Sequence, residues 1–433
     1  MNSSQCRDYL DRLQTLGIKL GLDNIRTLLA SLGNPHLKYP TILVAGTNGK
    51  GSVCAMLAEV LKRHGFRAGL YTSPHLVTME ERIRVGGRVI PSRSFCGLIG
   101  RIRDRIDALL AAGDISCHPT YFEVLTAAAF LYFAERKTDI AVVEVGMGGR
   151  YDATNVVHPL ISVITTIARD HQKYLGSTLG QIAFEKAGII KPGVPVVCGV
   201  EKGIALRTIR RRARELRAPV HEVFGEGSGF AAAGRGAGLR FSLTVNGRRR
   251  TFRPSLQGFH QGKNGAVALA AADVLSRTWA RLDPETIIEG IESARWPGRL
   301  ETIRRRPLVI LDGAHNEEGE QAVRAFLLDS IRRPVILVFA VMADKDIRRL
   351  VRILFPLAQK VILTRFPSAR AADPEKILEQ AGEFRDRITI ERDVRKAYAL
   401  ALVESKSRVP VVVTGSLFLV GEIKRLGLDR FQR

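Results

Sequence analysis

Thr41-Ile42-Leu43-Val44-Ala45-Gly46-Thr47-Asn48-Gly49-Lys50-Gly51-Ser52-Val53 is the stretch that decides the fold. The apolar run Thr41–Ala45 reads as a strand. A glycine-rich turn carrying one lysine and one serine follows. Then Val53, Met56, Leu57, Val60 and Leu61 recur at helical spacing. Strand, glycine turn and helix N-terminus together make an anion cradle, because backbone N–H groups and the helix dipole point at a phosphate. Lys50 can reach the outer phosphates, and the Ser52 hydroxyl can ligate Mg²⁺. The Walker spacing is not kept: Val44 stands where its first glycine would be, and Gly51 is inserted between lysine and serine. A glycine turn alone reads equally well as a plain tight turn; lysine and serine at a strand-to-helix junction make it a nucleotide loop.

Working outward, 433 residues suggest two or three domains, and an apolar share of 45% is that of an ordinary globular protein. Five scattered cysteines with no CxxC pair fit neither a disulfide framework nor a zinc site; Cys54 and Cys198 lie in apolar runs and read as core. Residues 1–17 are polar and charged, unlike a secretory signal, and the apolar run Pro334–Ala343 is too short to span a bilayer. The expectation is a cytoplasmic monomer with no membrane attachment. The net charge is +23, with clusters at 207–217, 248–253 and 304–306. The plainest reading is an arginine-rich composition on solvated faces. Attraction of small polyanionic substrates comes next. Nucleic acid comes last, since no recognition motif is present and few aromatics lie between the arginines.

Strand-like and helix-like stretches alternate, which predicts an α/β fold with a mostly parallel sheet. Strands are expected at Thr41–Ala45, Ile140–Val145, Leu160–Thr165 and Val194–Val200, and helices at Ser52–His64, Tyr121–Arg136, Thr178–Ala187 and Ile204–Arg217. A hairpin turns at Asn246-Gly247. Trp296-Pro297-Gly298-Arg299 then breaks the pattern, and a second alternation starts at Leu308. The predicted organisation is a P-loop-type, mostly parallel sheet domain over 1–296 and a smaller Rossmann-like α/β domain over 297–433, with the site in the cleft between them.

Three further motifs end strands. Val142-Val143-Glu144-Val145-Gly146 places a carboxylate at the sheet edge where ligands bind, suited to Mg²⁺ on ATP; a strand-end pair with Arg150 is the plainer alternative. Asp170-His171 follows the next apolar run, and His171 is a candidate metal ligand, or else a capping or core residue. Asp312-Gly313-Ala314-His315-Asn316 closes the first strand of the second alternation; Asp312 can accept hydrogen bonds from ribose hydroxyls and His315 can approach the nucleotide. Lys186, in Glu185-Lys186-Ala187-Gly188, reads by itself as a surface lysine near a helix end.

The loop Gly46-Thr47-Asn48-Gly49-Lys50-Gly51-Ser52 resembles that of the Mur ligase superfamily, and more narrowly of folylpolyglutamate synthase/dihydrofolate synthase. The stretch from Glu144 through Gly148-Gly149-Arg150 to Asp152-Ala153-Thr154-Asn155 resembles a second signature of that family. The resemblance implies that Asp152 and Ala153 line a pterin-side pocket, with Phe122 on its helix and Ser73-Pro74-His75 in a mobile loop beside the folate. It implies His171 on a second Mg²⁺ and a carbamylated Lys186 as an oxygen ligand to it. It also implies ATP contacts from Gln261, Asn264 and Arg299. Asp344-Lys345-Asp346 and Thr414-Gly415-Ser416-Leu417 complete a match running from Tyr9 to Glu422; Arg169 stands where the family usually has glycine, and Glu317 where it often has proline.

The activity so implied is ATP-dependent amide ligation: a substrate carboxylate is phosphorylated, and the amine of L-glutamate attacks the acyl phosphate. The phosphoryl half follows from the residues, whereas dihydropteroate or folate as acceptor follows from the resemblance alone. Another Mur-type amino-acid ligase is the nearest alternative, but the nucleotide loop begins at Gly46, leaving too little chain for a sugar-nucleotide domain. A P-loop kinase and a nucleic-acid-dependent P-loop ATPase are more distant.

Overall fold

The computed structural model describes residues 1–14, 17, 19 and 21–427. The fold is α/β, as expected, and among the described residues is built on two large sheets and a small three-stranded one. The first contains β1 (Thr41–Ala45), β2 (Ala68–Tyr71), β3 (Ile83–Val85), β4 (Arg88–Val89), β5 (Ile140–Glu144), β6 (Ile161–Ile164), β7 (Val196–Cys198) and β8 (Val220–Glu222), in the spatial order β4-β3-β2-β5-β1-β6-β7-β8. From β2 to β8 all neighbours are parallel, while β3 and β4 form an antiparallel edge. Strands covered on both faces read as continuous apolar runs. In β1, Leu43 and Ala45 face one core and Ile42 and Val44 the other, all fully buried.

A three-stranded antiparallel sheet of β9 (Ala231–Ala233), β10 (Arg240–Val245) and β11 (Arg248–Phe252) packs against the first sheet's core through Phe241 and Phe252. The last sheet contains β12 (Glu301–Arg305), β13 (Leu308–Leu311), β14 (Val335–Phe339), β15 (Ala358–Leu363), β16 (Ile388–Ile390) and β17 (Val411–Thr414), in the order β12-β13-β17-β14-β15-β16. It is parallel except for β12.

Strand order places the site. The chain leaves β1, crosses β5 to make β2, returns to β5, and then moves to β6 on the other side. Gly46, Glu144 and Thr165 therefore follow or end three adjacent strands at one sheet edge, beside the point where the winding reverses. In the last sheet Asp312, Ala340 and Gly415 likewise follow three adjacent strands.

One core residue carries a cost. Glu320, on the helix Glu317–Phe326, is fully buried, and neither carboxylate oxygen has a hydrogen-bond partner among the described residues. Burial, reinforced by Asp312, holds its carboxyl well above the usual carboxylate range. An acid whose proton is held more tightly in the folded state contributes most below its unfolded pKa and loses that contribution as pH rises. Glu320→Met should therefore stabilise the protein by about 1–3 kcal/mol. Thermal melts should show the gain widening from pH 5 to pH 8; equal or lower melting of the variant would contradict this account.

Candidate active site

The phosphate loop is pinned from the β6 side. Thr47 N–H donates to the Thr166 carbonyl (2.8 Å), Asn48 N–H to Thr166 Oγ1 (3.0 Å), and Thr165 Oγ1 to the Asn48 carbonyl (2.7 Å). Three glycines are set by close approach. Gly46 has φ +153°, and a Cβ there would lie 1.9 Å from Thr165 Oγ1. Gly49 has φ +84°, and a Cβ would lie 2.3 Å from Asn264 Oδ1, so Asn264 rests directly on the loop. The inserted Gly51 lies under the Trp296 indole, where a Cβ would come within 2.7 Å of Nε1. That packing gives the departure from Walker spacing a physical reason.

Lys50 Nζ donates to the Gly46 and Thr47 carbonyls at 3.1 and 3.2 Å. Lys186 Nζ donates to the same Gly46 carbonyl at 2.8 Å. Lys186 is thus buried beneath the loop and is not a surface lysine. Its helix, Leu179–Ala187, abuts the second signature: a Cβ on Gly149 would meet the Glu185 and Lys186 carbonyls at 2.8 and 2.9 Å. Desolvation, then repulsion from Lys50, brings the Lys186 pKa down to about 7.

Ser52 and Glu144 are both buried, and Ser73 N–H donates to Glu144 Oε2 at 3.0 Å. Burial raises the Glu144 pKa, with Lys50 and the Ser73 N–H opposing it. Arg150 does not pair with Glu144; it bridges to Glu185 at 2.7 Å. His171 opens a short helix with φ 51°, its N–H donating to Asp170 Oδ1 at 2.9 Å. The residue as a whole is exposed, but desolvation of its imidazole brings its pKa down to about 4, with Lys345 and Lys50 adding to the fall against the pull of Asp170.

Beyond the loop, Asn264 Nδ2 donates to Gln261 Oε1 at 3.0 Å. Asp312 is buried, with both oxygens engaged by backbone: Leu300 N–H donates to Oδ2 (2.7 Å) and Ala314 N–H to Oδ1 (2.8 Å). It therefore ties down the segment after Trp296. Arg299 lies against Gly313, where a built Cβ would be 2.7 Å from its Nη1. His315 Nδ1 donates to the Gly313 carbonyl (2.8 Å) and leaves Nε2 facing Asp170 at 3.8 Å.

On the far side of Glu144, Phe122 lies against Gly146, where a Cβ would meet its ring at 2.6 Å, and 6.0 Å from the Tyr71 ring. Asp152 is buried, accepting from the Met147 and Thr154 N–H groups, and so organises its own loop; Ala153 is buried beside it. The loop after Ser73-Pro74 is anchored. His75 Nδ1 accepts from Arg82 Nε at 3.0 Å, and burial brings its pKa down to about 3. The Val77 carbonyl accepts from Arg425, and the Leu76 carbonyl lies where a Cβ on Gly421 would be, only 2.1 Å away.

Contacts between the two sheets' edges were not read from sequence. Asn48 and Asn316 exchange hydrogen bonds through their side chains (3.2 and 3.0 Å), and Lys345 pairs with Asp170. Residues 268 apart in the chain leave no local pattern from which to infer such a contact.

A phosphate loop at a parallel sheet edge, faced by a second α/β sheet across a cleft of lysines and carboxylates, defines an ATP-dependent ligase of the Mur type. The family model described as Mur ligase middle domain matches residues 44–272, and that of dihydrofolate synthetase, C-terminal domain, matches 300–426. The chain belongs to the folylpolyglutamate synthase/dihydrofolate synthase family. It is 37% identical to the dihydrofolate synthase/folylpolyglutamate synthase of Bacillus subtilis over 97% of both chains. Among solved structures it is similar to Mycobacterium tuberculosis folylpolyglutamate synthase complexed with ADP (TM-score 0.90, 32% identity, 98% and 99% coverage). It is also similar to Escherichia coli FolC in complex with DHPP and ADP (TM-score 0.84, 29% identity, 98% of both chains).

Proposed function

We propose that this ligase phosphorylates the carboxylate of dihydropteroate and of folate glutamates with ATP, and joins L-glutamate to each through the acyl phosphate. The observation that carries the reading is the convergence of Lys50, Lys186, Glu144 and His171 on three adjacent strand ends, with His315 of the second sheet's edge 3.8 Å from Asp170 beside them. The similar structures are complexes with ADP and, for the Escherichia coli protein, with DHPP as well, which supports ATP and a pterin substrate here.

With the Thr47 and Asn48 N–H groups bonded to Thr166, the main-chain N–H groups from Gly49 to Ser52 and the Lys50 ammonium would hold the phosphates within the Gly46–Ser52 loop, with Gln261, Asn264 and Arg299 around the nucleotide and Asp312 and His315 on its second-sheet side. Ser52 and Glu144 supply hard oxygen donors, the kind Mg²⁺ takes. Among the described residues no group of three or more His, Cys, Asp or Glu converges, which suits an ion held by one or two protein groups plus phosphate oxygens. His171 and Lys186, the latter as its carbamate, would hold a second Mg²⁺. When bound, these ions offset charge on the transferring phosphoryl group. Phe122, Ala153, Asp152 and the Ser73-Pro74-His75 loop would line the pterin and aryl side.

The division into 1–296 and 297–433, hinged near Trp296–Arg299, belongs to the same proposal. It is supported by the separate sheets on either side. A cytoplasmic monomer acting on small molecules, without nucleic acid, is the form proposed. Five free cysteines fit a reducing compartment, and among the described residues no helix is long and apolar enough to cross a membrane.

ADP release measured with glutamate should rise on adding either dihydropteroate or tetrahydrofolate. Phe122→Ala should cut the dihydropteroate reaction by roughly 10-fold through loss of ring stacking, with ATP affinity unchanged. Extension of tetrahydrofolate with no reaction of dihydropteroate would restrict the enzyme to folylpolyglutamate synthesis.

A further inference from the structure

Asp170 sits at the junction of four groups, three of them from the other sheet's edge. Its Oδ1 accepts from Lys345 Nζ at 2.7 Å and from the His171 N–H at 2.9 Å. Its Oδ2 accepts from Asn316 Nδ2 at 3.1 Å, with His315 Nε2 at 3.8 Å. The Lys345 and Asp170 side chains are only 12% and 9% exposed, so the pair is shielded from solvent and salt. Asn316 also exchanges hydrogen bonds with Asn48 of the phosphate loop, and Asn48 donates to Glu318 at 2.6 Å.

These bonds have two consequences. Lys345, Asn316 and Glu318 lie beyond the 296–299 break, whereas Asp170 and Asn48 precede it, so the network clasps the two sheet edges across the cleft. It also reaches His171, whose left-handed backbone (φ 51°) is unfavourable for a residue with a Cβ and is held by its N–H bond to Asp170. Removing one partner of a shielded ion pair leaves the other charge uncompensated, so the clasp should open rather than relax in place.

We propose that Lys345, acting through Asp170, is a positioning residue of the ligation reaction: it locks the second sheet's edge onto the phosphate loop and fixes the placement of His171. The assignment rests on the ligase reading above. The test compares wild type, Lys345→Met, Asp170→Asn, the double variant and Lys345→Arg. Its readouts are ADP release, thermal melting, and the radius of gyration of the full chain by small-angle scattering without ligands.

Lys345→Met should lower kcat by about 10²-fold through misplacement, with KM for ATP little changed. The double variant should be no slower than the slower single variant, since both break one unit. Lys345→Arg should recover most of the rate. The radius of gyration should rise in Lys345→Met and return in Lys345→Arg, with melting showing each variant folded. Single effects that multiply, or a raised KM for ATP at unchanged kcat, would mean that Lys345 meets substrate directly and would overturn the proposal. An unchanged rate and radius would overturn it as well. If the wild type shows no folate- and glutamate-dependent ADP release, the ligase reading fails, while the scattering comparison still decides whether the clasp exists.

Discussion

Lys50→Ala should lower kcat/KM for ATP by roughly 10³-fold, as expected for deleting a charge aimed at a transferring phosphoryl group. The lysine is already oriented: its ammonium lies on the Gly46 and Thr47 carbonyls, inside the loop whose N–H groups would take the phosphates. The fold should be unaffected, because the side chain is only partly buried and its partners are loop carbonyls. Circular dichroism and melting would verify that. A Lys50→Ala protein with wild-type ATP affinity and rate would contradict the assignment.

Lys186→Ala should lose activity by roughly 10²–10³-fold, the scale of losing one electrostatic group in a water-poor site. A bare ammonium beside Lys50 would repel Mg²⁺ and add to repulsion within the site. A carbamate would reverse that sign and supply two oxygens. Carbamylation needs the neutral amine, and desolvation with Lys50 nearby puts the Lys186 pKa at about 7. At fixed bicarbonate, then, the modified fraction and the activity should rise as pH climbs through about 7. Acetate or formate should partly restore Lys186→Ala by placing a carboxylate in the gap. Full activity in the variant, or in wild type rigorously depleted of carbon dioxide, would rule out the carbamate.

What could be read from the chain and what could not have separate physical causes. The motifs at Gly46, Glu144, Asp170 and Asp312 were visible because each follows a strand buried on both faces, which shows as an apolar run. β2 escaped notice because Gly69 interrupts it, and that glycine exists to admit the Phe133 ring at 3.0 Å from a built Cβ. The β3–β4 hairpin did carry a signal: alternation in Ile83–Val85 and Arg88–Val89 around Gly86-Gly87. The helix Ser92–Ala112 carried one too, with Phe95, Leu98, Ile99, Ile102, Ile106 and Leu109 on one face, yet neither it nor the hairpin is among the elements expected above. β12 is edged with charge and reads as loop until β13 pairs with it.

At the site, the identity of the groups was legible but their environment was not. Lys186 looked solvated because nothing local reveals that Gly149 lets its helix close onto the second signature. Glu144 was read with a possible Arg150 partner, which the geometry gives to Glu185 instead. Asp152 and Asp312 were read as ligand contacts, yet each is first engaged by main-chain N–H groups. The cross-cleft bonds of Asn48 and Asp170 depend wholly on how the two sheets meet.

The central claim is that the substrate carboxylate passes through an acyl phosphate in the cleft between the sheets. Dihydropteroate labelled with ¹⁸O in its carboxylate, turned over with ATP and glutamate, tests it most directly. Transfer of the phosphoryl group to a carboxylate oxygen, followed by amine attack at carbon, leaves one labelled oxygen in the amide and delivers the other to inorganic phosphate. Label appearing in phosphate in step with amide is the predicted result; amide formed with unlabelled phosphate would contradict the account.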